Sequence, residues 1–86
     1  MKVEKEIKIM NSQGLHARPA ALFVQIAVKH DSAITVEKDG ETVNGKSIMG
    51  ILMLGAQQFS EIKVTVEGDD AEKVMAELEE FLQKDE

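Results

Sequence analysis

The segment Gly14-Leu15-His16-Ala17-Arg18-Pro19-Ala20 holds the residue types that could do chemistry. It lies where a polar loop, Asn11-Ser12-Gln13-Gly14, gives way to an apolar-rich run. The spacing predicts a helix over Ala17–Lys29, with His16 at its N-cap or beside it. The first turn of a helix has N–H groups without intrahelical partners, and it is the positive end of the dipole. Pro19 removes one N–H in a turn where no partner was available. It leaves the N–H groups of Ala17 and Arg18 free to point outward. Pro19 also disfavours helical geometry at Arg18, which leaves the first helical residue open. Arg18 brings a guanidinium able to hold a phosphate through two parallel hydrogen bonds. An imidazole nucleophile facing backbone donors and a cation is a phosphate-accepting arrangement.

On physics alone, the competing reading of His16 is a polar residue that caps a helix. No Asp or Glu lies in the segment to orient the ring. No Ser-His-Asp or Cys-His set can be assembled, and Gly40, Gly45, Gly50 and Gly55 are spaced wrongly for a nucleotide loop. There is no Cys, which excludes disulfides and thiolate metal sites. Two His are too few for a zinc site without carboxylates.

The elements that must position His16 can be read from periodicity. In residues 2–10, Val3, Ile7 and Ile9 share one face, with Lys5 as an exception, while Glu4, Glu6 and Lys8 share the other. That is the period of a half-buried strand. Ala33–Glu37 places Ile34 and Val36 on one face, a second strand. Asp39-Gly40 is a two-residue hairpin signal, and a third strand follows at Glu41–Asn44. Ser47 can cap a short helix over Ile48–Leu54, closed by Gly55. Ile62, Val64 and Val66 alternate with Lys63, Thr65 and Glu67 in a fourth strand. Asp69 and Glu72 have capping-box spacing before the stripe Ala71, Val74, Met75, Leu78, Phe81 and Leu82 of a last helix. The order β-α-β-β-α-β-α predicts an α+β fold, three helices on one face of an antiparallel sheet.

With 86 residues, the chain fits one domain, 1–86. The balance of 10 basic and 16 acidic residues argues against a nucleic-acid or anionic-membrane binder. No apolar run is long enough to span a bilayer, and MKVEKEIKI lacks the apolar core of a signal peptide. A cytoplasmic protein is expected. The charge is uneven. Residues 69–86 hold eight acids and two lysines, whereas the first 30 residues hold five bases and two acids. The half that contains His16 is therefore neutral to basic, and the acidic last helix reads as a solvated face.

The run GLHARPA followed by AALFVQIA resembles the active-site signature of the HPr family. These are the histidine-containing phosphocarriers of the phosphoenolpyruvate:sugar phosphotransferase system. A second block, NGKSIMGILMLG at 44–55, resembles the family's regulatory-serine segment, in its Gram-positive form. The likeness runs over essentially the whole chain. It implies an open-faced β-sandwich, with a four-stranded antiparallel sheet of order 1-4-2-3 covered by three helices. It implies that His16 takes the phosphoryl group on Nδ1 and that Arg18 stabilises it; the Ala17 N–H at the helix start is the backbone donor expected beside them. It further implies that Ser47 is the target of an ATP-dependent HPr kinase/phosphorylase.

The implied role is that of a carrier rather than an enzyme, with neither metal nor cofactor. Enzyme I would phosphorylate His16, and enzyme IIA domains of sugar permeases would receive the group. HPr kinase/phosphorylase and a catabolite control transcription factor are the further partners implied. The family's use of its first two helices for docking assigns that role to Ala17, Ala21, Ile48, Met49 and Met53. Exposed apolar patches with flexible Met suit a protein of several partners, and a monomer is expected. His30 is expected to contact the C-terminal dipole of its helix, and Lys46 to meet acidic partners or solvent. Three alternatives stand beside the carrier: a regulatory paralogue that binds transcription factors through its serine, a nitrogen-branch carrier, and a domain cut from a larger transporter. Regulatory relatives typically lack the active-site His, and the ends of this chain look complete.

Overall fold

The computed structural model describes residues 1–84. Its elements are β1 (Lys2–Lys8), α1 (Ala17–Val28), β2 (Ala33–Lys38), β3 (Glu41–Asn44), α2 (Ile48–Met53), β4 (Glu61–Glu67) and α3 (Ala71–Leu82). The four strands form one antiparallel sheet in the order β1-β4-β2-β3. The alternation read from the sequence is the alternation of the sheet. Ile7, Ile34, Val36, Ile62, Val64 and Val66 are buried, while Glu4, Glu6, Thr35 and Glu67 are exposed. Phe23 of α1, Ile51 of α2 and Val74, Leu78 and Leu82 of α3 complete the core. Phe23 meets Phe81 with ring centroids 6.5 Å apart and planes tilted by 56°.

Lys5 breaks the apolar face of β1 without cost. β1 is a sheet edge, and its ammonium reaches the carboxylate of Glu79 on α3 at 2.7 Å. At the tip of the β2–β3 hairpin, Asp39 has φ 52° and Gly40 φ 83°, the two positive values that a tight hairpin turn requires.

The structure departs from the sequence reading at several ends. β1 stops at Lys8 instead of residue 10, although Ile9 stays buried and exchanges hydrogen bonds with Ser60 and Phe59 at 2.9 and 2.7 Å. The regular register ends there because the opposite strand turns away at Phe59, whose φ is 73°. Smaller differences are β2 running on to Lys38, α1 ending at Val28 and α2 at Met53. The capping box on Asp69 does not form. Asp70 is the N-cap of α3, its carbonyl accepts from Val74 N–H at 2.9 Å, and its side chain makes no cap bond. Its φ of -99° and ψ of 23° are not the extended values from which a capping side chain reaches back to the first turn.

Candidate functional site

His16 is the N-cap of α1, with φ -80° and ψ -167°. Its carbonyl accepts the first helical bond, from Ala20 N–H at 2.8 Å. Its ring makes no capping bond, so the polar-cap reading does not describe it. The side chain is exposed. Pro19 is buried in the first turn, and the N–H groups of Ala17 and Arg18 precede the first bond that the helix can make.

The loop before His16 is braced from the far side of the chain. Gly14 N–H bonds Asn11 C=O at 2.9 Å, and Leu15 N–H bonds Ala56 C=O at 2.9 Å. Gly14 has φ 63°, and a Cβ there would lie 2.5 Å from the Ala56 oxygen, so only glycine fits. The Gln58 amide donates to Met10 C=O at 3.2 Å. Together with the Ile9 bonds, these contacts tie residues 56–60 to the loop and to the end of β1. His16 lines a shallow hollow with Ser12, Gln13, Gln57 and Gln58. Sequence reasoning did not single out Gln57 or Gln58. Gln-Gln-Phe-Ser carries no motif, and only the pairing of β1 with β4 brings it to His16.

Arg18 is not in the hollow with His16. It lines an adjoining hollow with Asn11, Pro19, Leu22, Phe81 and Lys84, and Gln13 belongs to both. Arg18 forms no ion pair among the described residues.

Ser47 is the N-cap of α2, as its position suggested, and its Oγ accepts from Gly50 N–H at 3.0 Å. Beyond it Ile48, Met49 and Met53 are exposed, the two methionines by 68% and 67%. Ala17 is exposed and Ala21 half-buried on α1, which packs against α2. Leu22, overlooked as a surface residue, is also exposed.

Two lower-ranked residues have structural work instead. His30 Nε2–H donates to Glu77 Oε1 at 2.9 Å, and Lys29 Nζ reaches Glu77 Oε2 at 3.2 Å. The His30 hydrogen bond, followed by that of Lys29, holds the Glu77 carboxyl below its ordinary value of 4.5. Lys46 Nζ donates to the His30 carbonyl at 2.7 Å, so this lysine clasps the end of α1 and is not held out for a partner.

The family model for the PTS HPr component phosphorylation site matches residues 3–84. The chain belongs to the HPr family. It is 46% identical over 83 residues to the HPr-like protein Crh of Halalkalibacterium halodurans, covering 96% of this chain and 99% of that one. The crystal structure of the phosphocarrier protein HPr from Bacillus anthracis superposes with a TM-score of 0.93 at 48% identity, over 95% of this chain and 98% of that one. A dimer of HPr from Thermoanaerobacter tengcongensis is 57% identical, with a TM-score of 0.69 over 84% of this chain and 83% of that one. The HPr fold accounts for the strand order and for three helices on one face. Membership also makes phosphocarriage the family activity, while carriers and Crh-type regulators both stand among the similar proteins.

Proposed function

We propose that this HPr-family chain is the phosphoryl carrier of a phosphoenolpyruvate-dependent sugar phosphotransferase system, working in the cytoplasm. His16 Nδ1 attacks the phosphorus carried by enzyme I. The N–P bond on His16 forms as the P–N bond on the donor breaks, and the pair of electrons returns to the donor nitrogen. An enzyme IIA histidine then takes the group in the same way. The observation that carries this reading is the exposed His16 ring, free of any capping bond at the N-terminus of α1. The N–H groups of Ala17 and Arg18 lie where developing phosphoryl charge needs donors. The guanidinium of Arg18 closes on the bound group from the adjoining hollow, which shares Gln13 with that of His16. Exposed donors suit a carrier, since a deep cage would hold the phosphate against onward transfer.

Ser47 supports a second, regulatory modification by an ATP-dependent HPr kinase/phosphorylase. A phosphate there adds roughly -1.5 to -2 charge beside Ile48 and Met49. It obstructs enzyme I and recruits a catabolite control transcription factor. The Crh relative favours the runner-up, a regulatory paralogue, and the nitrogen branch is a further one. His16 favours the carrier, because a regulator that acts through its serine has no need of the histidine. A site that must meet several partners suits a monomer as the working form, although dimers of similar proteins are known. The relay tests the reading. With phosphoenolpyruvate, enzyme I and an enzyme IIA domain, phosphate reaches IIA only when this chain is added. If IIA stays unphosphorylated with the chain present, the carrier reading is wrong.

A further inference from the structure

Phe59 combines two features that ordinarily exclude each other. Its φ is 73°, in the region that favours glycine. The one other non-glycine residue with positive φ among the described residues is Asp39, in a hairpin turn where a short polar side chain tolerates it. A bulky aromatic at such a φ is an outlier, kept only where the surroundings over-determine it. Here the backbone supplies that constraint. Phe59 N–H bonds Ile9 C=O at 2.7 Å, and the Ser60 N–H and Oγ both bond Gln57 C=O, at 3.1 and 2.6 Å. Glycine could make the same backbone bonds. Nor is the phenyl ring held by burial: it is 59% exposed, and the one ring pair among the described residues is Phe23–Phe81. The fold therefore gains little from the ring and bears backbone strain to present it. The ring follows directly on Gln57 and Gln58, which line the hollow of His16.

We propose that Phe59 is a docking anchor for the phosphoryl-transfer partner, its ring entering an apolar recess on the protein that brings a phosphorylated histidine to His16. The inference rests on the carrier reading. A donor that reaches His16 meets Gln57 and Gln58, and Phe59 is the next residue along the chain. An exposed aromatic side chain next in sequence to Gln58 offers large contact area with few torsions to freeze. Phe59 specifies partner affinity and takes no part in the phosphoryl step itself.

The test measures transfer from phosphorylated enzyme I to wild type, Phe59→Gly and Phe59→Tyr, with thermal melts of all three. Phe59→Gly relieves the strained backbone, so it melts no lower than wild type. Its KM for transfer rises about tenfold with kcat within about twofold, the signature of lost uniform binding. Phe59→Tyr, which keeps the ring, stays near the wild-type KM. An unchanged KM in Phe59→Gly overturns the anchor while wild-type transfer leaves the carrier reading standing. A Phe59→Gly melt several degrees lower makes Phe59 structural and overturns it too, as does a Phe59→Tyr KM raised as far as that of Phe59→Gly. No transfer to wild type removes the carrier reading and the anchor with it.

Discussion

The N–H of Leu15 bonds the carbonyl of Ala56 at 2.9 Å, joining the residue before His16 to the segment that ends in Phe59. The two residues are far apart in sequence, yet this bond and its neighbours set where the imidazole stands. The His16 loop is thus aimed by backbone bonds to the α2–β4 connection, and the ring itself is left unengaged. A carrier nucleophile has to meet several donors and acceptors. A rigid backbone beneath a free side chain meets that need.

Gly14 is the most sensitive point of that brace. Gly14→Ala places a Cβ 2.5 Å from the Ala56 oxygen at a φ of 63°. The expected loss is about 2 kcal/mol or more, a fall in Tm of about 10 °C. Phosphoryl uptake falls further than stability alone requires, because His16 moves with the loop. Calorimetry with an uptake assay at a temperature where both proteins are folded checks it.

Arg18 stands in the hollow beside that of His16 and forms no ion pair among the described residues. Arg18→Ala should leave the melt unchanged and slow transfer by about tenfold or more, the cost of one lost phosphoryl donor. Arg18→Lys falls between, since lysine keeps the charge without the two-pronged geometry. Single-turnover kinetics with enzyme I reads both. An Arg18→Ala rate equal to wild type contradicts the role.

Ser47 separates two effects. Ser47→Ala removes the bond to Gly50 N–H and should cost about 1 kcal/mol, or about 5 °C in Tm. Ser47→Asp keeps an N-cap acceptor, so it melts close to wild type, yet its charge lies in the docking face and lowers transfer from enzyme I. Transfer by Ser47→Asp at the wild-type rate contradicts the regulatory role.

Glu77 carries a pH signature. His30 first, then Lys29, favour its ionised form, so its carboxyl is held below 4.5 in the folded chain. A carboxyl lowered by folding contributes stability above its unfolded value. That contribution is lost as pH falls through the folded value. Glu77→Gln should therefore melt below wild type at pH 7, with the gap closing as pH falls through the lowered carboxyl value. A gap independent of pH contradicts the assignment.

Much of the fold was legible because its signals are local. Alternation at Ile62, Val64 and Val66 names the buried face, Asp39-Gly40 names the turn, and Ser47 names the start of α2. GLHARPA singled out His16 and Arg18 as candidates by the same local reading, and the structure puts them in adjoining hollows. What stayed hidden depends on distant partners. His30 looked like a dipole contact, but its partner Glu77 is 47 residues away. Lys46 looked like a surface cation, but it bonds the His30 carbonyl. Gln57 and Gln58 carry no motif, and they reach the hollow of His16 only because β1 pairs with β4. The Asp69 cap failed by one residue, a matter of backbone angles that composition does not encode.

The central claim is that His16 alone accepts the phosphoryl group. Mass spectrometry after incubation with phosphoenolpyruvate and enzyme I tests it most directly. Wild type should gain one acid-labile phosphate. His16→Ala should gain none while melting within about 0.5 kcal/mol of wild type, since the ring caps nothing. No uptake by wild type with several sources of enzyme I, or an equal acid-labile adduct on His16→Ala, would contradict it.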